Sequence, residues 1–171
     1  MNNTYYPNPY PYPRPCPYFS NAPMYNPHCP KQHVQLRDYG PDPFVINIED
    51  ASKQNNNFRL ALWTGCHLQL TLMSIKVGED IGLEIHPNVD QFLRIEQGQG
   101  LVKMGDRKDC LDFQANVCDN YAIVIPAGKW HNLINTGCVP IKLYSIYAPP
   151  NHPHGTVHIT KEDAEEQHRY Q

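Results

Sequence analysis

The stretch GEDIGLEIHPNVDQFLRIEQG, residues 78–98, decides the fold together with NYAIVIPAGKWHNLIN, residues 120–135. Side chains alternate between the two faces of a strand, so Glu84 and His86 point the same way from one predicted strand. Pro87 and Asn88 supply a turn, and Gln91 begins a returning strand. We therefore expect three metal-ligating side chains at one end of a β-hairpin.

The second block predicts another hairpin. Residues 121–125 read as a strand, and residues 126–128 read as a turn because proline fixes φ and glycine permits unusual dihedrals. His131 then begins the next strand. A fourth donor group, the His131 imidazole, is therefore expected from a second hairpin.

These two blocks resemble the paired motifs of the cupin superfamily, G-x5-H-x-H-x3–4-E-x6-G followed by G-x5-P-x-G-x2-H-x3-N. The resemblance covers residues 78–98 and 120–135, and strand-like sequence extends it to roughly residues 44–148. The second block matches closely, whereas the first diverges. Glu84 replaces the first family histidine, Gln91 replaces the family glutamate, and Asn120 replaces a glycine, which is mild because asparagine tolerates positive φ.

The resemblance implies a divalent metal ion bound by Glu84, His86, Gln91 and His131. Two imidazoles, one carboxylate and a weaker amide oxygen suit zinc, iron, manganese or nickel alike. The same ligand types form the zinc site of phosphomannose isomerases, with Glu and Gln exchanged. The alternative is a metal-free jelly roll, in which the Glu-x-His pair belongs to a solvated strand face.

The predicted fold class is all-β, a double-stranded β-helix (the cupin jelly-roll barrel) of about ten strands with a disordered N-terminal tail. We divide the chain into a tail at residues 1–34, a barrel at 35–150, and a C-terminal loop and short helix at 151–171. Residues expected to be buried between the sheets are Leu68, Leu70, Leu72, Leu93, Ile95, Ile123 and Ile125.

Several further elements follow from local pattern. Strands are predicted at residues 44–48, 58–63, 67–75, 98–104 and 141–148, the last of them ending the sheet, with a helical turn at 49–54 and a loop at 105–119.

Gln69 and Thr71 share a face of their strand, which fits either a polar barrel cavity or a half-exposed sheet. His152, His154 and His158 lie in a proline-rich loop, so we favour a structural or surface role over a second metal site. Thr160 and Asp163 predict a capping box before a short helix.

Composition restricts the partners. The chain has 171 residues, a net charge of −3 and no long basic cluster, which argues against nucleic acid as a partner. No apolar stretch approaches the length of a membrane span, and no signal-peptide pattern begins the chain, so we expect a cytoplasmic protein. Six scattered cysteines without C-x-x-C pairs are expected to be free thiols.

The N-terminal tail has a composition of its own. Residues 1–30 contain nine prolines, six tyrosines and five asparagines, which excludes a helix or a central strand and favours extended conformations. The composition is similar to Tyr/Pro-rich segments of bacterial spore-coat proteins. Such an arm, with its tyrosines, Cys16 and Cys29, could be joined oxidatively to other chains.

We carry two functional hypotheses. The favoured one is a metal-dependent enzyme that isomerises a sugar or sugar phosphate, or oxidises a small molecule, with its ligand bound inside the barrel and the chain paired as a homodimer. The alternative is a non-catalytic cupin that serves as a structural component of a spore coat through its tail. Catalytic residues, metal identity and substrate stay open at this point.

Overall fold

The structure, a computed structural model, describes residues 33–169. In these residues two antiparallel sheets face each other, and two short helices flank them. The elements are α1 (Ile48–Gln54), β1 (Arg59–Thr64), β2 (Gln69–Ile75), β3 (Glu84–Ile85), β4 (Asp90–Gln97), β5 (Gly100–Gly105), β6 (Phe113–Val117), β7 (Ala122–Ile125), β8 (Trp130–Asn135), β9 (Ile141–Ala148), β10 (Val157–His158) and α2 (Lys161–Arg169). The predicted all-β double-sheet fold is confirmed, while the predicted tail lies outside the described residues except for its last two positions.

The larger sheet has six strands in the order β10-β1-β2-β9-β4-β7, and the smaller has four in the order β3-β8-β5-β6. Every pairing is antiparallel. Inward-facing aliphatic side chains of both sheets form the main core, among them Met73, Leu93, Ile95, Val102, Ile123, Ile125, Leu133 and Leu143. The core fills one part of the space between the sheets, and the predicted ligands lie elsewhere between them.

A second apolar cluster covers the outer face of the larger sheet. Residues 33–47, which we call the strap, cross this face and pack with α1 on Leu60, Leu62 and Leu72. The prediction that Leu68, Leu70 and Leu72 lie between the sheets is therefore wrong, because that side of β2 faces the strap, and Leu68 is 40% exposed. The opposite side of β2 carries Gln69 and Thr71, both fully buried, so the alternative of a half-exposed sheet face is wrong for this strand.

Other local predictions need correction as well. The two predicted hairpins do not form, because β3 pairs with β8 in the smaller sheet and β4 pairs with β7 in the larger one, so the consecutive strands of each motif lie in opposite sheets. Residues 44–48 form no strand, because the Tyr39 and Phe44 rings stack at 4.2 Å and Asn47 caps α1 instead. Residues 113–117 form β6 rather than a loop, since the backbone pairs with β5 and small Ala115 packs on the core. A tenth strand, β10, follows β9 and pairs with β1.

The ends of the domain agree with the sequence patterns. The predicted helical turn is α1, and α2 begins with the predicted capping box. There Thr160 N donates to Asp163 Oδ2 at 2.9 Å and Asp163 N donates to Thr160 Oγ1 at 3.3 Å. Asn120 has φ +70°, as expected for a residue that replaces a glycine. Within residues 33–169, no helix is long and apolar enough to cross a membrane.

Candidate metal centre

Three of the four predicted ligands converge. Glu84 on β3 pairs directly with His131 on β8, and His86 follows β3 on the same side as Glu84. Glu84 Oε1 lies 3.4 Å from His86 Nε2 and 3.4 Å from His131 Nε2, and the candidate ligand atoms all lie within 4.8 Å of one another. Ligands at the usual ~2.1 Å from a metal ion are about 3.0–3.5 Å apart. The spacing therefore fits one ion among the three side chains.

The fourth predicted ligand, Gln91, is placed by β4. Its side chain is 2% exposed, and its Nε2 donates to Ser145 Oγ at 3.0 Å. Its amide oxygen is buried and has no hydrogen-bond partner among the described residues. Ser145 thus fixes the amide through its nitrogen and leaves the oxygen available, as a fourth ligand requires.

The same pattern holds for all four predicted ligands. Glu84 Oε1, His86 Nε2, His131 Nε2 and Gln91 Oε1 are buried atoms without a well-formed hydrogen bond in the described part of the chain. Buried polar atoms are nearly always satisfied, so four such atoms on these four residues call for a common partner. This donor set fits a divalent cation.

The histidine tautomer supports the same conclusion. His131 Nδ1 lies 2.9 Å from the Lys129 carbonyl oxygen, which can only accept a hydrogen bond. The ring therefore carries its proton on Nδ1 and presents the Nε2 lone pair to the space beside Glu84. Metal-ligating histidines are oriented by a hydrogen bond of this kind on the opposite ring nitrogen.

The carboxylate of Glu84 is held in its charged form. Burial alone would raise its pKa, but the imidazoles of His131 and His86 and the guanidinium of Arg59 outweigh burial and hold the pKa well below its usual range. Glu84 is therefore available as an anionic ligand without prior loss of a proton.

Arg59 is the nearest cation to the site, although nothing in the sequence groups it with the ligands. Its Nη2 lies 3.8 Å from Glu84 Oε2, and its side chain is 2% exposed. Lys103 and Lys129 do not line the cleft described below. Arg59 reaches the site because β1, to which it belongs, lies in the larger sheet opposite β3.

Two further polar side chains complete the buried surroundings. The Tyr147 ring lies 5.6 Å from the His86 ring and 5.0 Å from the His152 ring, both edge to face. Burial raises the pKa of Tyr147, and burial with the nearby charge of Arg59 lowers the pKa of His152 to about 2. Both side chains are therefore neutral at physiological pH.

The three loop histidines have different places. Gln69 fixes the backbone of His152 by donating to its carbonyl oxygen at 2.8 Å and accepting from its N–H at 2.9 Å. His158 is buried on β10, whereas His154 is exposed and lies 3.5 Å from Asp38. The structure groups no second metal site from these histidines among the described residues. A fixed contact partner such as Gln69 could not be recognised from sequence, because it lies 83 residues away.

A cleft of about 680 Å³ leads to the site. Its lining includes Arg59, Glu84 and His86, together with Trp130 and residues 81–87. The N-terminal half of α2 contributes Lys161, Ala164 and Glu165 to the rim. Such a volume accommodates a small molecule, so the ligand cluster is accessible from solvent.

The geometry agrees with comparisons to known proteins. Residues 71–147 match the sequence model of the Cupin domain. The chain belongs to the cupin superfamily. A cupin superfamily protein from Desulfitobacterium hafniense, whose structure gives a TM-score of 0.50 at 20% identity over 64% of this chain and 94% of its own, shares the fold.

Closer relatives come from bacilli. The cupin is 72% identical over 133 residues to YrkC of Bacillus subtilis (strain 168), covering 78% of this chain and 72% of YrkC. The crystal structure of BH2720 from Bacillus halodurans gives a TM-score of 0.76 at 69% identity, covering 77% of this chain and 99% of that chain. The family expected from the two motif blocks is therefore confirmed.

Proposed function

We propose that this cupin is a metal-dependent enzyme that acts on a small polar molecule. The observation that carries the proposal is the convergence of Glu84, His86 and His131 beside an open cleft, with every candidate ligand atom unpaired. We assign Gln91 as the fourth ligand on the strength of its unpaired amide oxygen. A divalent ion held there would supply Lewis acidity or, if it is redox-active, electron transfer.

The surroundings of the ligands support catalysis over a purely structural role. A structural barrel gains nothing from a buried guanidinium, phenol and imidazole next to unpaired ligands, because each polar group costs free energy to bury. Arg59, Tyr147 and His152 are nevertheless all buried around the site. Of the three, Arg59 lines the cleft, where it can bind and orient a polar substrate, while the Tyr147 ring lies beside His86 and the His152 ring lies beside Tyr147.

The properties of Tyr147 and His152 favour oxygenase chemistry over sugar isomerisation. Isomerisation of a sugar needs a general base whose pKa lies near the working pH. The pKa of Tyr147 is raised and that of His152 is lowered to about 2, so neither neutral group is adjusted for that task. Neither side chain lines the cleft either, and on these two grounds we rank oxygenase chemistry first.

The test compares metal forms of the full-length chain. We expect elemental analysis of the purified protein to find close to one equivalent of a divalent metal, and the iron-loaded form to consume oxygen with a small substrate while the zinc-loaded form does not. The His131→Ala variant should lose both metal and activity, whereas His67→Ala, at an exposed histidine, should lose neither. Aldose–ketose interconversion under argon by the zinc form would instead establish the isomerase.

The structural role has support from the composition of residues 1–30 alone. Inactivity of both metal forms across sugars, sugar phosphates, small acids and thiols would favour it. A chain lacking those residues should then be released from a spore layer on fractionation, while the full chain remains in the layer.

A further inference from the structure

The Arg59 guanidinium is a buried charge without a close partner. Its Nε is buried and has no hydrogen-bond partner among the described residues, and its Nη2 is 3.8 Å from Glu84 Oε2, which is longer than a hydrogen bond. Buried charges are normally paired and hydrogen-bonded, because isolating them from water is costly. An acceptor for the Nε–H of this guanidinium is therefore missing from residues 33–169.

The charge balance of the site points to an anion. If Glu84 binds a divalent ion together with two neutral imidazoles and a neutral amide, the ion retains one unit of positive charge. Arg59, which lies 3.8 Å from the other oxygen of Glu84, adds a second unit. The other carboxylate in the cleft lining, Glu165, is exposed on the rim and lies 4.0 Å from Lys161. The interior therefore has an excess of positive charge that a neutral substrate would leave uncompensated.

The positions of the two charges restrict the shape of that anion. One carboxylate group, that of Glu84, presents Oε1 to the two histidines and Oε2 to Arg59. The ion position and the guanidinium therefore lie on either side of a single carboxylate. In a substrate whose anionic group pairs with Arg59, an oxygen that could contact the ion would therefore lie only one or two bonds from that group.

We propose that the substrate is a small carboxylic acid with an oxygen on the adjacent carbon, a 2-hydroxy or 2-oxo acid, whose carboxylate binds Arg59. The planar guanidinium fork matches a carboxylate in shape and hydrogen-bonding geometry. A phosphate would require further cations, and Lys161 on the rim is already paired with Asp80.

This inference rests on the proposed function, and its test separates the two. The zinc-loaded full-length protein is titrated by calorimetry with lactate, pyruvate, lactamide and inorganic phosphate. We expect lactate or pyruvate to bind at least tenfold more tightly than the uncharged lactamide and more tightly than phosphate. The metal content, measured by elemental analysis on the same samples, reports on the proposed function independently of this discrimination.

Variants identify the residue responsible. Arg59→Gln should keep its zinc and lose at least tenfold in affinity for the acid, and Arg59→Lys should lose less, because it keeps the charge without the fork. Arg107→Gln, at an exposed arginine paired with Asp109, is the matched control and should bind as the parent does. The comparison of lactate with lactamide on the parent protein stands even if Arg59→Gln fails to fold.

Three results would overturn the proposal. These are equal binding of lactate and lactamide by a zinc-loaded parent, tighter binding of phosphate than of either acid, and unchanged acid affinity in a folded, zinc-loaded Arg59→Gln protein. None of these three results would contradict metal binding by the site. A parent protein that retains no metal would instead remove the proposed function and this inference together.

Discussion

Each candidate ligand is held by its own contact, so the four residues should contribute unequally to metal affinity. His131 is fixed through Lys129 and supplies a strong imidazole donor, as does His86. Gln91 supplies only an amide oxygen, and its orientation depends on Ser145. We therefore expect the two histidines to contribute most of the metal affinity and the Gln91 amide to contribute less.

We predict that His86→Ala and His131→Ala abolish metal binding, whereas Gln91→Ala weakens it. Ser145→Ala should weaken it by about ten- to a hundredfold, the usual effect of removing a group that orients a ligand. Competition with a chromophoric chelator measures each affinity, and His67→Ala serves as the control. Full retention of metal by His86→Ala would show that the three convergent residues are not the ligands.

A different prediction concerns His152, whose pKa is lowered to about 2 in the folded chain from an ordinary value of 6.5. Below pH 6.5 the unfolded chain binds a proton that the folded chain excludes. The free energy of unfolding should therefore decrease as the pH falls, by about 1.4 kcal/mol per pH unit from this residue.

Urea unfolding of the metal-free protein between pH 6.5 and 4.5 measures that slope. His152→Gln should flatten it, while His154→Gln, whose side chain is 58% exposed, should not. The prediction fails if the two variants show the same dependence on pH.

At the scale of elements, local sequence predicted the parts that are held together locally. The turns at residues 87–88 and 126–128, the positive φ at Asn120 and the capping box of α2 depend on neighbouring residues, and these were predicted correctly, whereas the pairing of strands around those turns was not. The face of β2 that lies inside the barrel could not be assigned, because its two sides are distinguished only by what packs on them. The strap covers the outer face of β2, and residues 33–47 are too far from β2 in sequence for local patterns to show this contact.

The same reasoning explains which residues of the site were missed. Arg59, Tyr147 and His152 come from β1, β9 and the loop after β9, and no motif joins them. They meet because β1, β2 and β9 are adjacent in the larger sheet. Motif spacing can find the ligands in the two sequence blocks, but side chains outside those blocks can be placed at the site only from the order of strands in the sheet.

The strap yields a prediction at this scale. Val34 exchanges two hydrogen bonds with the Gln54 side chain, at 3.2 and 2.5 Å, and Tyr39 N donates to Leu62 O at 2.9 Å. Leu36 and Tyr39 also pack on the outer apolar cluster. Removing residues 33–43 would therefore expose apolar surface of the larger sheet.

We expect deletion of residues 1–32 to leave the melting temperature nearly unchanged, since a proline-rich polar segment adds little to a packed core. Deletion of residues 1–43 should cost about 3 kcal/mol from two lost apolar side chains and lower the melting temperature by about 6–12 °C. Calorimetry on both truncated chains makes the comparison. Equal melting temperatures would show that the strap is dispensable.

For the molecule as a whole, the homodimer stays a prediction, and an edge strand at residues 44–48 cannot be its interface because no strand forms there. Residues 44–48 were expected to form an exposed edge strand, which the structure contradicts. They instead border a groove of about 500 Å³ whose lining is entirely apolar or aromatic, namely Phe44, Val45, Ile46, Ile48, Trp63, Leu68, Leu70, Tyr144 and Ile146. Contiguous apolar surface of this kind is typical of an interaction site.

We predict that two copies of the chain pair through this groove. Val45 is 97% exposed beside it, so Val45→Glu would place a charge in the interface and should shift the protein from dimer to monomer. Val139→Glu is the control, because Val139 is also exposed but does not line the groove. Size-exclusion chromatography with light scattering at micromolar concentration gives the mass of each protein. A monomer mass for the parent would refute the dimer, and a dimer that persists in Val45→Glu would place its interface on another face of the barrel.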